Sequence, residues 1–350
     1  MMELSAIIAL NFPDTMSKIF FRKWYSTRMR SLSTLLKYIL IVLFTTNLCV
    51  FCYAQKLARF EFTQYHMGND IRIVLYAANS DIAIKAAASA FDRFAELDDI
   101  MSDYRANSEL MKLCSKSGGA PVPVSKDLFD VLKKSQEFAE LSNGAFDVTC
   151  SPIVRLWRTA RKTKVLPKEN EISAARALTG YKFLKLNEAH KTAQLMKLGM
   201  QLDLGGIGKG YGADQAQIVL KHLGIKSALI QAGGDIVVSN PPPGKEGWVV
   251  QVSNAATAAE GPDLTFANCA VSTSGDTEQF VEIDGKRYSH IVDPRTGIGL
   301  TDRIQVTIIA PNGTTSDGLT KIVSVLGPKI GIPLTQKYRG TKVYFRYATN

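Results

Sequence analysis

DLGGIGKGYGAD, residues 203–214, sets five glycines around a single lysine and closes on an acid. Glycines let the backbone come close to a partner, and amides leading into a helix N-terminus form an anion site. Two known phosphate cradles can be tested against the stretch. A P-loop requires G-x-x-x-x-G-K-[S/T]; here Gly208-Lys209 is followed by Gly210 and the pattern would have to start at Asp203, so it fails. Gly208, Gly210 and Ala213 satisfy the loose dinucleotide fingerprint, but the acid that should hold a ribose about twenty residues on is missing, Asp235 being the nearest strand-end candidate. Such a turn also suits plain strand-to-helix packing. Lys209 inside it, with Asp203 and Asp214 on its flanks, speaks for a charged ligand, because geometry alone requires no charge there.

The flanking segments give the fold class. NDIRIVLYAA (69–78) alternates Ile71, Ile73 and Leu75 as a half-buried strand. Ser80 then caps a helix with the stripe Ile84, Ala87, Ala88, Phe91, Phe94, Leu97 and Met101. A second helix opens after Ser125 and stops at Asn143-Gly144, and 158–173 reads as a basic surface excursion with a short helix behind it. From residue 181 strands dominate, and FVEIDGKRYSHIV (280–292) is a hairpin turning on Asp284-Gly285. One helix follows Gly210 and another starts at Ser316. Helices gather early and strands late, without βαβ alternation. The expected class is α+β, one domain with mixed or antiparallel sheets and flanking helices.

Residues 1–54 differ from the rest. YILIVLFTTNLCVFCYA (38–54) follows Arg28, Arg30 and Lys37 and closes on Cys52-Tyr53-Ala54, the layout of a cleaved export signal. The same 17 residues are also long enough for a retained membrane anchor. Met29 opens a leader of ordinary length, so 1–28 reads as an over-extended start, and 55–350 as the domain. Beyond residue 54 there remain 36 basic and 30 acidic residues, a net +6 that attracts anions without pointing to nucleic acid. Three scattered cysteines there, Cys114, Cys150 and Cys269, support neither a disulfide framework nor a zinc site.

Five further stretches gather glycine and polar residues between apolar strands: MGND (67–70), SDYRANSEL (102–110), GAFDVTCSPIVRLW (144–157), AGGDI (232–236) and STSGDTEQF…SHIVDPRTG (272–297). With the glycine stretch they resemble, in order and spacing, the ApbE-like FAD:protein FMN transferases, from about Met67 to Gly331. The resemblance implies an exported, Mg²⁺-dependent enzyme, periplasmic or anchored to the outer face of the inner membrane. Such an enzyme moves the FMN half of FAD onto a threonine hydroxyl of a partner, a membrane-bound redox subunit or FMN-binding domain, and releases AMP. By position, Met67 and Tyr104 are implied against flavin or adenine, Ala145, Phe146 and Asp147 along the nucleotide, and Asp203 and Lys209 near ribose and phosphates. Thr273, Ser274 and Gly275 are implied at the phosphates and Ile291 on a ring, with Arg295 bracing its loop or a phosphate. His290 is the candidate to accept the threonine proton, oriented by Asp293.

The implied metal lies between the carbonyl of Gly206 and Asp317, and here the chain departs from the pattern. The family's threonine four residues after that aspartate is Lys321, whose ammonium cannot ligate a metal; Thr320 offers a hydroxyl from the same face. Either Lys321 supplies part of the charge neutralisation or the chain holds flavin with poor catalysis, and the intact remaining motifs favour retained transfer. The competing activities are an FAD pyrophosphatase, with water in place of threonine, a non-catalytic flavin-binding envelope protein, and an oxidoreductase resting on the weak dinucleotide match. The chain carries no S-G-A-T acceptor sequence, so self-modification is not expected.

Overall fold

Alternation at Ile71, Ile73 and Leu75 seeds the central sheet of the computed structural model, which describes residues 56–251, 263–275 and 280–347 and the isolated positions 23, 24, 29, 34 and 37. The export leader and its Ala54 cleavage point lie outside the described residues, as do 276–279 of the STSGDTEQF stretch. No helix among the described residues is long and apolar enough to cross a membrane. Leu57–Asn350 forms one compact unit.

Seven strands make the sheet: β1 (Ala58–His66), β2 (Asn69–Ala77), β3 (Ala228–Ala232), β4 (Asp235–Val238), β5 (Cys269–Gly275), β6 (Ile304–Ala310) and β7 (Lys342–Tyr347). They lie side by side in chain order, each antiparallel to the next. The class is α+β as expected, and every described pairing is antiparallel, so no mixed sheet occurs among the described residues. Met67 and Gly68 turn β1 into β2 with φ of 50° and 76°. Such a two-residue turn needs positive φ at both positions, which is uncommon for methionine.

The helices are α1 (Ser80–Met101), α2 (Glu109–Ser115), α3 (Lys126–Leu141), α4 (Ser151–Thr163), α5 (Glu169–Ala177), α6 (Gly208–His222) and α7 (Gly313–Thr335). The cap of α1 is Asn79, not Ser80, and its buried face is Ala83, Ala86, Ala87, Ala90, Phe91 and Phe94. Of the expected stripe, Ala87, Phe91, Phe94, Leu97 and Met101 are buried, whereas Ile84 and Ala88 point to solvent. Small alanines let α1 lie close to β2, β3 and α6, and the two phenylalanines supply the apolar weight, about 1.5–3 kcal/mol each when fully buried.

A second apolar cluster joins α3, the ribbon of Leu184–Asn187 with Thr192–Leu195, strand β6 and the Leu319, Ile322 and Val323 face of α7. A third joins Ile153, Trp157 and Ala160 of α4 to Val281, Ile283, Tyr288 and Val292 of the late hairpin. That hairpin turns on Asp284 and Gly285, at φ 51° and 74°, as expected from the sequence.

Two helix starts shift against expectation. Helix α6 begins at Gly208 rather than after Gly210, and α7 at Gly313 rather than Ser316. The cause at α7 is double capping. Asn312 accepts from Thr315 N at 2.9 Å, and Asp214 of α6 accepts from Gly313 N at 2.6 Å and Thr314 N at 2.8 Å. The expected surface excursion at 158–173 is also corrected: it starts inside α4, with Arg158 turned inward.

Candidate active site

The glycine stretch carries the site because it lets two helix N-termini touch. A Cβ on Gly210 would sit 2.2 Å from Gly313 O, and one on Gly313 would sit 2.5 Å from Gly210 O. The contact aligns Gly210 N with Asp317 Oδ2 at 3.2 Å. Lys209, one residue earlier, reaches across the Gly233 turn to Asp235 Oδ2 at 3.1 Å. Met67 closes this side, with Cε 3.7 Å from the Cβ position of Gly208.

The second lysine converges on the same place. Lys321 Nζ stands 3.0 Å from Asp317 Oδ1 and 3.1 Å from Thr320 Oγ1, and it donates to Ser274 Oγ. Its stem crosses Gly206, with Cγ 3.2 Å from that residue's Cβ position. Strand β5 runs beside the first turns of α7, pairing Ser272 with Ser316 at 2.7 Å and Ser274 with Thr320 at 2.9 Å. Thr273 faces the opposite way and meets Thr307 at 2.9 Å, while Gly275 ends the strand against Gln305. Gly206, Ser274, Asp317, Thr320 and Lys321 are therefore one cluster.

Burial sets the electrostatics. Asp317 is fully buried, which by itself would raise its pKa, but Lys321 and Lys209 outweigh that and hold the carboxyl below its ordinary range. Asp235 goes the other way: burial, then the Asp317 charge, push it up against the pull of Lys209 and Lys321. Burial would lower Lys209, yet Asp235 and Asp317 hold its ammonium above the usual lysine value. Both lysines are thus built to stay beside carboxylates.

A third charge centre lies at the start of the glycine stretch. Asp203 accepts from Gly205 N and from Arg158 Nη2, each at 2.7 Å. Arg158 also grips Asp103, and its guanidinium lies 4.5 Å from the ring centre of Tyr104, which is 79% exposed and free to stack on a planar ligand. Burial and Asp103 raise the Asp203 carboxyl despite Arg158. A sequence model of the ApbE family matches residues 67–345.

The chain belongs to the ApbE family. It is 31% identical over 296 residues to the FAD:protein FMN transferase of Treponema pallidum (strain Nichols), covering 80% of this chain and 82% of that protein. The enzyme of the same name from Klebsiella pneumoniae (strain 342) is 30% identical over 275 residues, 78% of this chain and 84% of the other. Among solved structures, Flavin Transferase ApbE from Vibrio cholerae superposes with a TM-score of 0.76 at 28% identity, covering 84% of this chain and 95% of that one.

The remaining ApbE-like positions divide by what they touch. Ala145 and Phe146 are buried, and the Phe146 ring edge lies 3.6 Å from the Cβ position of Gly206, so it floors the Lys321 cluster. Both Asp147 oxygens are taken, one by Thr149 N at 2.8 Å and Thr149 Oγ1 at 2.7 Å, the other by Tyr181 N at 2.7 Å. Asp147 therefore shapes the wall rather than offering a free carboxylate. In the late loop Asp293 is bound at both oxygens by Arg295, at 2.9 Å and 2.8 Å, so Arg295 braces the loop. Ile291 is buried and bonds Leu300 through its carbonyl at 2.9 Å; His290, one residue earlier, is half-buried.

Sequence reasoning passed over Trp157 and Arg158. Trp157 Nε1 donates to Gly297 O at 2.8 Å, holding the His290 loop, while Arg158 holds Asp203. One turn of α4 so ties the two halves of the site together. Their only sequence signal was position: Trp157 closes the GAFDVTCSPIVRLW motif and Arg158 follows it.

Proposed function

We propose that the chain transfers the FMN half of FAD to a threonine hydroxyl of a partner protein and releases AMP. The observation that carries this reading is the pair of contacts between half-buried lysines and buried aspartates, Lys209–Asp235 and Lys321–Asp317, gathered where two helix N-termini meet. Helix N-termini and ammonium groups are what a pyrophosphate needs before a nucleophile can approach phosphorus. Tyr104, stacked on Arg158, offers a flat face for a flavin or adenine ring. Threonine Oγ forms its bond to the FMN phosphorus, the bond from that phosphorus to the bridging oxygen breaks, and its electron pair leaves on AMP. His290 takes the hydroxyl proton.

The resemblance implies Mg²⁺, and the residues can be checked against it. Asp317, Thr320, Ser274 and the Gly206 carbonyl are hard oxygen donors of the kind Mg²⁺ takes. Three of those donors, Asp317, Thr320 and Ser274, already converge on Lys321 Nζ, and among the described residues no group of three or more His, Cys, Asp or Glu side chains is placed to hold a metal. With Lys321 in place the cluster does not fit a divalent ion, and the transfer steps above run through none.

The leader supports export, with the acceptor a membrane-bound redox subunit or FMN-binding domain outside the cytoplasm. The test is incubation with FAD and an FMN-acceptor domain carrying S-G-A-T, read by intact-protein mass spectrometry. The acceptor gains one FMN while AMP accumulates. Free FMN with an unmodified acceptor would replace transfer by pyrophosphatase action. His290→Ala lowers the transfer rate by about 100-fold or more; a variant as fast as the parent would remove His290 from the reaction.

A further inference from the structure

The oxygens around Lys321 raise a question that the proposed transfer leaves open: what neutralises the pyrophosphate where an ApbE-like site would hold a cation. A divalent ion there would need Asp317, and Asp317 is engaged twice, by Gly210 N at 3.2 Å and by Lys321 Nζ at 3.0 Å. The ammonium also reaches Thr320 Oγ1 at 3.1 Å and Ser274 Oγ, so its three protons meet three oxygens from two different elements, α7 and β5. Its stem lies along Gly206, where any Cβ would press on Lys321 Cγ at 3.2 Å. A glycine at 206 thus accommodates the lysine as well as a ligand. An ion placed among the same oxygens would be within bonding range of a like charge and would be repelled.

We propose that Lys321 Nζ is the resident cation of this site, replacing the divalent ion in FMN transfer from FAD. The inference rests on the proposed transfer reading. The Lys321 side chain is 17% exposed while Asp317 is fully buried, so the lysine is the member of the pair that an arriving ligand can reach. A phosphate oxygen accepts a charge-assisted bond more strongly than a hydroxyl does, so Nζ can exchange Ser274 Oγ for a non-bridging oxygen of FAD while keeping Asp317. In the transfer step the lysine stays protonated. The Oγ–phosphorus bond forms, the bridging bond breaks toward AMP, and the proton passes to His290 and then to solvent.

An ammonium brings one positive charge where a divalent ion brings two, and it needs no metal in solution. The parent should therefore transfer FMN to an S-G-A-T acceptor domain in EDTA at a rate within about threefold of that in Mg²⁺, since the resident charge is present in both. Lys321→Thr should lose about 100-fold or more in EDTA and recover in Mg²⁺. Lys321→Met, which has neither charge nor oxygen, should be slow in both buffers while circular dichroism shows the parent fold. The second measurement is Mn²⁺ titration followed by electron paramagnetic resonance with FAD present: the parent leaves the ion free and Lys321→Thr captures it. A parent that is silent in EDTA and active with Mg²⁺, or that binds Mn²⁺ as tightly as Lys321→Thr, overturns the proposal. If both proteins retain FAD but transfer nothing in any buffer, the transfer reading fails, and the Mn²⁺ titration still decides whether Lys321 holds the cation's place.

Discussion

Gly210 is the position where a single methyl group tests the architecture of the site. Its Cβ would lie 2.2 Å from Gly313 O, 2.5 Å from Gly313 C and 2.8 Å from Asp317 Cβ. Comfortable contacts lie at about 3.5–4.0 Å, so α6 and α7 would have to part by about 1 Å or more. Two of the three atoms are backbone and cannot rotate away. Overpacking of this kind costs about 1–3 kcal/mol. Parting the helices also weakens the bond from Gly210 N to the buried Asp317 carboxylate, worth about 1.5–3 kcal/mol. Against these stands the gain of alanine over glycine in a helix, at most about 1 kcal/mol. The clash wins, and Gly210→Ala should be less stable by about 2–5 kcal/mol, with a thermal midpoint lower by about 5–15 °C. Gly208→Ala is the internal control. Its Cβ would meet Met67 Cε at 3.7 Å and Leu204 Cβ at 3.9 Å, both ordinary contacts, so it should be neutral or gain up to about 0.5 kcal/mol. Far-UV circular dichroism on heating reads both. Equal midpoints for the two variants would refute the close-approach argument and leave the glycines with a ligand-binding role alone.

Arg158→Met should raise the FAD concentration needed for half-saturation and cost about 3–5 kcal/mol in urea unfolding at neutral pH, because Asp203 and Asp103 lose the charge that pairs them. Asp203 is already raised by burial and Asp103, and the variant raises it further. A raised carboxyl penalises the fold above its own pKa and ceases to do so below the unfolded value, so the deficit should shrink as pH falls toward about 4; a deficit constant from pH 8 to pH 4 would contradict this. Trp157→Phe removes the donor to Gly297 O, and should lower transfer more than FAD binding, with about 1 kcal/mol lost in stability. Cys114, buried and accepting from Leu202 N at 3.3 Å, has its thiol pushed up to about 11 by burial, so alkylation at pH 8 should follow global unfolding rather than proceed in the native state.

What the sequence made legible was local. The period-two strand at 69–77, the Asp284-Gly285 turn and the glycine stretch each carry their signal within a dozen residues; the strand and the turn stand where they were expected, and the glycine stretch opens a helix as expected, though two residues early. Long-range pairs were not legible. Lys209 meets Asp235 only because β3 and β4 turn back beside α6, and Arg158 looks like part of a basic surface run until α4 packs across the site. In the α1 stripe Ala87, Phe91, Phe94, Leu97 and Met101 are buried as expected, and Ile84 was misplaced because the larger residue outranks Ala83 and Ala86 in any hydrophobic pattern, although close packing against α6 favours the smaller ones. The Lys321 departure was visible as a substitution; that its ammonium meets Asp317, Thr320 and Ser274 together was not.

Reciprocal capping explains why the site tolerates a lysine at 321. Two helix N-termini brought into contact place two positive dipole ends side by side, which is unfavourable unless each finds a negative partner. Asp214 of α6 accepts from Gly313 N and Thr314 N of α7, and Asp317 of α7 accepts from Gly210 N of α6. Each helix supplies the acid that completes the other. Asp317 is thus part of the fold before it is part of any chemistry, and its charge has to be kept in a fully buried place. Something positive must therefore stand beside it at all times, with or without nucleotide. A dissociable ion can do this only when it is bound, whereas Lys321, one helical turn further along, does it permanently. Exchanging ion for lysine preserves the cap, the Gly210–Gly313 contact and the pyrophosphate seat together, whereas losing Asp317 would undo all three.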